Sequence, residues 1–350
     1  MESLLKEWNG ESVIIRFDRG AEAWIVIAIH STALGPAVGG TRMKPYARLE
    51  DALEDAQRLA GGMTLKWSAA GIDYGGGKAV IAVQPDMDSK TRAELLRRYG
   101  AFVHRHNGLF FTGPDYGTSS EDMDIIAETG DPYIFGRTPA AGGAGNPAPF
   151  TALGVFTSIQ VAAGHAFGSP ALEGKQVLIQ GVGSVGRELV ALLLGSGSKV
   201  LISDVNEAAL ERFRKEAGLE SIAPDEVYER PCDIFVPCAV GGVLNQKTIP
   251  LLHCRAVVGA ANNQLGKPED AERLRRREIL YAPDFIANSG GAIAIIGTET
   301  GGWSKEEAEE RLVKLIKDNL SRIFEMAETE GCSTDEAAQH IAEMRLTASE

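Results

Sequence analysis

The chain has 350 residues, 44% of them hydrophobic, which is enough to bury substantial cores and favours two domains over one. Its 35 lysine and arginine residues against 48 acidic residues give a net charge of −13, which argues against binding to nucleic acid or an anionic membrane surface. The four cysteines form no CxxC pair, no His/Cys/carboxylate cluster has metal-ligand spacing, and the first residues lack a signal-like apolar segment. We therefore predict a cytoplasmic protein with structural thiols and no metal.

The first part of the chain has the pattern of an α/β domain. Apolar, β-branched runs at residues 12–17 and 23–30 flank a short polar turn and predict a hairpin. Apolar residues at helical spacing follow from 49 to about 59. The remaining predicted elements are a strand at 78–84, a helix at 91–103 and a short strand at 109–112.

The second part of the chain has the alternation of a doubly wound parallel sheet. A Pro-, Gly- and Ala-rich stretch at 138–149 predicts a domain boundary with a hinge. After it, strands predicted at 176–180, 199–204, 234–236, 256–259 and 279–282 are separated by helical patterns or short connections. We therefore expect an α/β domain over 1–145, completed by a carboxyl-terminal helix at 325–350, and a Rossmann domain over 146–324.

The sequence Gly-Val-Gly-Ser-Val-Gly at 181–186 directly follows a predicted strand and opens a predicted helix. This is the context that a dinucleotide-binding motif requires. Gly181 allows the tight turn, Gly183 leaves space for a pyrophosphate, and Gly186 permits close packing of helix on strand. The helix start supplies N–H donors and positive potential for the phosphates.

Asp204 ends the next predicted strand, where its carboxylate can accept a hydrogen bond from a ribose 2′-hydroxyl. A 2′-phosphate would be repelled, and Val205, Asn206 and Glu207 supply no arginine to neutralise it. We therefore predict NAD rather than NADP. The alternative, a structural glycine cluster of any α/β protein, is disfavoured because strand, helix and acidic residue occur together.

Two lysines of the first domain stand near glycine-rich or helical segments. Lys78 follows three glycines at the start of a predicted strand, and Lys66 lies at a predicted helix end. A phosphate-loop does not fit, because Ile72 and Ala79 stand where the pattern needs Gly and Ser or Thr. Taken alone, both lysines would be interpreted as solvated surface residues.

An ordered series of segments resembles the leucine, phenylalanine and valine dehydrogenases, relatives of glutamate dehydrogenase, along nearly the whole chain. The segments are LGPAVGGTRM at 34–43, GMTLK at 62–66, GGGKAVI at 75–81, TGPD at 112–115, PCA at 237–239, GAANNQL at 259–265 and APDF at 282–285. The resemblance implies a homo-oligomeric enzyme that reversibly converts an apolar L-amino acid and NAD to a 2-oxo acid, ammonia and NADH. The first domain would bind the substrate and the second NAD.

The resemblance also implies roles for the residues that match the family's motifs. Lys66 matches the lysine that binds the substrate carboxylate, Lys78 the catalytic acid/base, and Asp115 the essential aspartate. Further substrate-binding positions are Gly39, Gly40 and Asn262, with Val38, Gly113, Ala292 and Ile295 around the side chain. Cofactor-binding positions are Arg42, Thr151, Gly181, Gly183, Ser184, Val185, Gly186, Asp204, Cys238, Ala239, Ala260, Ala261, Asn262 and Asn288.

The chemistry needs these residue types. A carboxylate in a partly dry cleft must be paired, and Lys66 can supply the charge. Hydride leaves Cα only after the amine has lost a proton, which Lys78 can accept if desolvation and the charge of Lys66 lower its pKa. Asp115 would carry protons to the departing ammonia and stabilise the iminium. The alternative for Asp115 is a loop N-cap before Ser119.

The residues around the substrate side chain favour an apolar substrate. None of them can pair with a second carboxylate, so glutamate is disfavoured. Gly113 and Ala292 are smaller than the residues usual in leucine dehydrogenases, and the segments around them look most like phenylalanine dehydrogenases. We predict phenylalanine, with leucine or valine as alternatives. Ser289 departs from the usual alanine, and tight packing is the other interpretation of Gly113 and Ala292.

The residues present disfavour two other functions. A non-catalytic NAD-responsive regulator on the same fold should have lost Lys78 or Asp115, and both are present. A hydroxy-acid dehydrogenase would need a base such as histidine near the substrate, and none of the six histidines stands in such a motif. Both functions are therefore disfavoured.

Overall fold

The computed structural model describes residues 2–348, which form two compact units. The first unit contains the described residues up to Asn146, then Ile295–Ser304, and then those from Ala342 onward. The second unit contains Pro147–Ala294 and Lys305–Ile341. The first change of unit lies within the predicted boundary stretch at 138–149.

A five-stranded sheet forms the centre of the first unit. Its strands are β1 (Ser12–Asp18), β2 (Ala23–Ser31), β3 (Ala37–Lys44), β4 (Gly75–Ala82) and β5 (Phe110–Pro114), in the order β1-β2-β4-β3-β5. β1 and β2 form the predicted antiparallel hairpin, and β2 is also antiparallel to β4. β3 runs parallel to both β4 and β5 and lies between them, although no strand was predicted there.

Helices cover both faces of this sheet. They are α1 (Glu2–Lys6), α2 (Leu49–Ala69), α3 (Ser89–His104) and α4 (Ser120–Gly130). Alternate side chains of β2 point to opposite faces: Val26 and Ala28 pack with α2, whereas Ile25 and Ile27 pack with α3 and α4. Because β2 is buried on both faces, it is a continuous apolar run. α2 continues ten residues beyond its predicted end at 59.

A six-stranded parallel sheet forms the centre of the second unit. Its strands are β6 (Gln176–Gln180), β7 (Lys199–Ser203), β8 (Glu220–Ser221), β9 (Ile234–Pro237), β10 (Ala256–Val257) and β11 (Leu280–Tyr281), in the order β11-β10-β9-β6-β7-β8. Every pair is parallel, which confirms the predicted doubly wound sheet. The strand order reverses beside β6, the position at which such sheets bind ligands.

The later helices are α5 (Ala148–Phe167), α6 (Ser184–Gly195), α7 (Glu207–Ala217), α8 (Glu269–Arg276), α9 (Asp284–Ala287), α10 (Gly290–Glu299), α11 (Lys305–Glu330) and α12 (Thr334–Thr347). By length and composition, α5 is the one helix among the described residues that could cross a membrane. However, 56% of its apolar window is buried, and it packs on α6 and α11. α5 therefore serves as a core helix of the second unit.

The carboxyl-terminal helices divide between the units differently from the prediction. Residues 325–341 belong to the second unit, because α11 packs on α5 and the Thr334 hydroxyl donates to the carbonyl of Tyr281 at 2.6 Å. The end of α12 joins the first unit, where Ser68 Oγ donates to the carbonyl of Ala342 at 2.7 Å. The expectation that 325–350 as a whole completes the first domain is therefore corrected.

Candidate active site

The first unit brings Lys78 and Asp115 into contact. Lys78 lies in β4, and its Nζ is 3.3 Å from Oδ1 of Asp115, which directly follows β5. Between these strands, β3 presents Gly40, where a Cβ would lie 3.3 Å from Lys78 Nζ and 2.9 Å from Asp115 Cβ. A side chain at position 40 would displace the pair, so the close approach requires glycine there.

Lys78 is almost completely enclosed, with 6% of its side chain exposed. Burial lowers the pKa of Lys78, the negative Asp115 opposes this effect, and the positive Arg42 adds to it, with a net lowering. Arg42, rather than the predicted Lys66, is thus the cation with the largest lowering effect. A lysine with a lowered pKa can release and accept a proton at moderate pH.

Two cations hold the carboxylate of Asp115. Arg42 Nε donates to Oδ2 at 2.9 Å, while Lys78 lies beside Oδ1. Burial alone would raise the pKa of Asp115, but the charges of Lys78 and Arg42 outweigh it and keep the pKa below its usual range. The N-cap of α4 is Ser119, which accepts the N–H of Asp122, so the capping alternative for Asp115 is wrong.

Arg42 also binds a second carboxylate, Asp55 in α2. Arg42 Nη1 donates to Asp55 Oδ2 at 3.1 Å, and the Tyr46 hydroxyl donates to the same oxygen at 2.6 Å. Arg58 Nη2 donates to the other oxygen at 2.8 Å. Burial alone would raise the pKa of Asp55, but these bonds lower it to about 2. The structure therefore places Arg42, predicted as a cofactor contact, in a bridge between two carboxylates.

Lys66 lies in the last turn of α2, which is fixed against β3 and β4. The indole N–H of the next residue, Trp67, donates to the carbonyl of Val38 at 3.0 Å. A Cβ on Gly76 would come within 2.0 Å of Thr64 Oγ1, so helix and strand touch closely. The helix end that carries Lys66 is therefore packed beside the β3 segment that contains Gly39 and Gly40.

Phe135 occupies the space beside Gly113. A Cβ on Gly113 would lie 2.3 Å from the ring of Phe135, which is 8% exposed. The prediction that Gly113 leaves extra space for a bulky substrate is therefore wrong, because the Phe135 ring already fills that space. Two other predicted pocket residues of this unit, Val38 and Ile295, are also buried.

In the second unit, the glycine turn lies where β6 ends and α6 begins. Gly181 has a φ of +102°, which favours glycine. A Cβ on Gly186 would lie 2.1 Å from the Gly181 carbonyl oxygen, whereas a Cβ on Gly183, the N-cap of α6, would meet no heavy atom within 4 Å. A tight turn, a close packing contact and an open approach to a helix start fit a dinucleotide pyrophosphate.

Asp204 directly follows β7 and fastens the glycine turn. Its Oδ2 accepts the N–H of Val182 at 2.8 Å, and its Oδ1 accepts the N–H of Asn206 at 2.8 Å. Each carboxylate oxygen has a further acceptor position. Asp204 can therefore hold the turn and still accept a hydrogen bond from a ribose hydroxyl.

Loops at the carboxyl ends of β9 and β10 complete this edge of the second unit. A Cβ on Gly181 would lie 2.8 Å from Ala239 Cβ, so the β9 loop adjoins the glycine turn. Asn288 Nδ2 donates to Asn262 Oδ1 at 2.8 Å and to the carbonyl of Ala260 at 3.2 Å. The remaining predicted cofactor residues of this unit are Thr151 in the first turn of α5, Ser184 and Val185 in α6, Cys238 after β9 and Ala261 after β10.

The predicted residues thus form two groups, one in each unit. The first unit holds Lys66, Lys78, Asp115, Arg42, Gly39, Gly40, Val38, Gly113 and Ile295, and the second holds Ala292 and the other predicted cofactor- and substrate-binding residues.

Three residues near the first group lack any local sequence signal: Asp55, Phe135 and Glu299. Glu299 is buried in α10 and accepts the N–H groups of Gly136 at 2.9 Å and Ala144 at 2.8 Å. Burial raises the pKa of Glu299. Each of them contacts a residue of another element, Arg42 for Asp55, Gly113 for Phe135 and Gly136 for Glu299, so spacing alone could not identify them.

Two family models match the chain. Residues 12–131 match the model described as the Glu/Leu/Phe/Val dehydrogenase dimerisation domain, and residues 202–350 match the glutamate/leucine/phenylalanine/valine dehydrogenase model.

Several amino-acid dehydrogenases are similar in sequence to the chain over nearly its full length. A leucine dehydrogenase of Geobacillus stearothermophilus is 42% identical over 342 residues, covering 98% of this chain and 92% of the relative. A valine dehydrogenase of Streptomyces virginiae is 41% identical over 340 residues, covering 96% and 94%. The crystal structure of the L-tryptophan dehydrogenase of Nostoc punctiforme superimposes with a TM-score of 0.87 at 38% identity, covering 100% of this chain and 99% of that one.

Proposed function

The chain belongs to the glutamate/leucine/phenylalanine/valine dehydrogenase family of amino-acid dehydrogenases, and we propose that it catalyses the reversible, NAD-dependent oxidative deamination of an apolar L-amino acid. The products are the 2-oxo acid, ammonia and NADH. The observation that carries the proposal is the enclosed pair of Lys78 and Asp115 beside Gly40. A buried lysine with a lowered pKa next to an ionised carboxylate suits proton transfer.

Proton transfer by Lys78 prepares the substrate for oxidation. The neutral Lys78 amine takes a proton from the substrate ammonium group, which leaves a neutral amine. Loss of the hydride from Cα, for which a bound nicotinamide would supply the acceptor, leaves an iminium on the substrate. Lys78 passes its proton to the adjacent Asp115 carboxylate, becomes neutral again, and takes a proton from the water that adds to the iminium carbon. The Asp115 carboxylate, held by Arg42, stabilises the iminium before it receives this proton. Asp115 then gives the proton to the amine nitrogen, which leaves as ammonia, and takes up the hydroxyl proton as the C=O bond of the 2-oxo acid forms.

Lys66 is proposed to bind the substrate carboxylate, because its helix end is packed beside the Gly39–Gly40 stretch. The Asp204 carboxylate supports NAD over NADP, since it would repel a 2′-phosphate. We further propose a cytoplasmic homo-oligomer, an assembly supported by the match of residues 12–131 to a dimerisation domain.

A branched-chain aliphatic amino acid is proposed as the preferred substrate, ahead of phenylalanine. The Phe135 ring fills the space at Gly113 that would favour an aromatic side chain. The apolar lining at Val38, Gly113 and Ile295 disfavours glutamate, whose second carboxylate would be buried without a partner. The resemblance to leucine and valine dehydrogenases supports this choice.

Replacing Lys78 by alanine tests the proposal. NADH production from L-leucine should fall at least about 100-fold in kcat, because general acid–base catalysis is lost. NADH binding, measured by its fluorescence, should be unchanged, and NADP should replace NAD poorly in the wild-type enzyme. Lys90→Ala, at an exposed lysine in the first turn of α3, is the control and should keep full activity. A wild-type rate in Lys78→Ala, or no NADH from any apolar amino acid, would contradict the proposal.

A further inference from the structure

A series of charged side chains extends from the Lys78–Asp115 pair through Arg42 to Asp55. Arg42 bridges the two carboxylates, with Nε on Asp115 at 2.9 Å and Nη1 on Asp55 at 3.1 Å. The side chain of Asp55 is 13% exposed, and that of Arg42 is 20% exposed. The bridge is therefore poorly hydrated, and its charges act on one another more strongly than surface charges do.

Arg42 binds one oxygen of Asp115 and leaves the other beside Lys78. A guanidinium donates in a fixed planar arrangement, so its anchor on Asp55 restricts the direction in which it meets Asp115. Tyr46 restricts Asp55 in turn, with its hydroxyl 2.6 Å from the oxygen that Arg42 binds. The orientation of the Asp115 carboxylate toward Lys78 thus depends on Asp55, which contacts Arg42 rather than Asp115 itself.

The charges of these four residues balance when Lys78 is protonated. Lys78 and Arg42 are then cations, and Asp115 and Asp55 are anions. If the charge of Asp55 is removed, one positive charge is left uncompensated near a lysine with 6% of its side chain exposed. Such a charge favours the neutral form of Lys78.

We propose that Asp55 is a positioning residue for the reaction: by anchoring Arg42, it aims Asp115 at Lys78 and sets how readily Lys78 takes up a proton. This inference rests on the proposed role of Lys78 as the base. Asp55 acts through Arg42 and needs no contact with the substrate.

The other titratable groups around these four residues do not reverse the effect of Asp55 on Lys78. Burial and Asp55 both raise the pKa of Tyr46, so its phenol stays neutral and donates a hydrogen bond. Arg58 is on the solvent side of Asp55, with 57% of its side chain exposed, and Lys44 Nζ lies 4.0 Å from Asp55. Lys66 lies on the same helix as Asp55, and none of the variants replaces it.

The test is the pH dependence of kcat/KM for L-leucine in Asp55→Asn, which keeps the shape of the side chain and removes its charge. In the wild-type enzyme, kcat/KM falls at low pH as Lys78 becomes protonated. In Asp55→Asn, this acid limb should move to lower pH by about half a unit to one unit, while the plateau falls. Simple structural damage would lower the plateau without moving the limb.

Two further variants on α2 test the direction of the shift of the acid limb and whether the shift is limited to residues that contact Asp55. Arg58→Gln removes a cation from the other side of Asp55, so the limb should move to higher pH, by less than in Asp55→Asn and less again in high salt. Asp51→Asn, one turn before Asp55, removes a carboxylate that pairs with the exposed Arg48, and its limb should coincide with that of the wild-type enzyme.

A measurement without turnover separates this inference from the proposed function. The rate at which acetic anhydride modifies Lys78, read by mass spectrometry against the exposed Lys90 as internal reference, should show the same displacement along the pH axis. If Lys78→Ala keeps its activity, the proposed function is wrong. Lys78→Ala could instead be inactive while Asp55→Asn and Arg58→Gln show the same acid limb of kcat/KM and the same labelling curve of Lys78 as the wild-type enzyme. In that case the inference about Asp55 is wrong. If Asp55→Asn does not fold, the pH dependence of kcat/KM and the labelling of Lys78 in Arg58→Gln test the inference without it.

Discussion

The ring of Phe135 fills the space beside Gly113, one of the residues proposed to surround the substrate side chain. The ring of Phe135 lies where a Cβ on Gly113 would be, at 2.3 Å. Because the ring is 8% exposed, it is held in place by its neighbours. Removing the ring should therefore open space that the wild-type protein does not have.

Replacing Phe135 by alanine should shift the substrate preference toward aromatic amino acids. We expect kcat/KM for L-phenylalanine relative to L-leucine to rise about tenfold, within the range by which pocket size discriminates apolar substrates. The measurement is NADH production across L-valine, L-leucine, L-methionine, L-phenylalanine and L-tryptophan. Phe17→Ala, at an exposed phenylalanine of β1, is the control and should leave the ratio unchanged. A ratio that stays at the wild-type value in Phe135→Ala would show that the ring does not limit the substrate.

An ion pair between the buried Asp18 and the partly exposed Arg98 ties the β1–β2 hairpin to α3. Asp18, at the end of β1, is 2% exposed and receives two hydrogen bonds from Arg98 of α3, at 2.8 and 2.9 Å. Its Oδ1 also accepts the N–H of Ala21 in the turn. Burial alone would raise the pKa of Asp18, but Arg98 outweighs it and lowers the pKa.

Arg98→Ala should therefore destabilise the first unit by about 2 kcal/mol, because it leaves a buried carboxylate without its partner. The loss should be largest near neutral pH. Because the folded-state pKa of Asp18 is lowered, the stabilisation is present above the unfolded-state pKa and is lost as pH falls through the folded value. Denaturant unfolding at pH 7 and pH 3 measures both effects. Arg97→Ala, which breaks an exposed pair with Glu128, is the control and should leave the free energy of unfolding nearly unchanged.

The first unit is assembled from three separate stretches of the polypeptide. Glu299, in the second stretch, accepts the backbone N–H groups of Gly136 and Ala144. Arg345, in the third, donates to the carbonyl of Ile72 at 2.9 Å, and the hydroxyl of Ser68 bonds to the carbonyl of Ala342. Residues 1–146 therefore lack part of the structure that satisfies their own polar groups.

A fragment of residues 1–146 should consequently fail to form the native first unit. We expect weak near-ultraviolet circular dichroism and rapid hydrogen exchange in β3–β5, with the full-length chain as the control. Cooperative thermal unfolding of the fragment at the midpoint of the full-length protein would contradict this expectation.

The sequence by itself determined those features that depend on residues close to one another along the chain. The hairpin, the parallel sheet and the glycine turn follow from apolar periodicity and from glycines at fixed spacing, because strand alternation and tight turns are local requirements. The lysines at 66 and 78 acquired a predicted role only through family resemblance. Their spacing alone indicated a solvated surface.

Contacts between distant parts of the chain were decided by the tertiary structure alone. Burial set the environment of Lys78, and Arg42 replaced Lys66 as the cation with the largest lowering effect on its pKa. Phe135 filled the space at Gly113, and the chain ends divided between the two units. Such features depend on which surfaces exclude water from one another, and that is fixed only when segments far apart in sequence pack together.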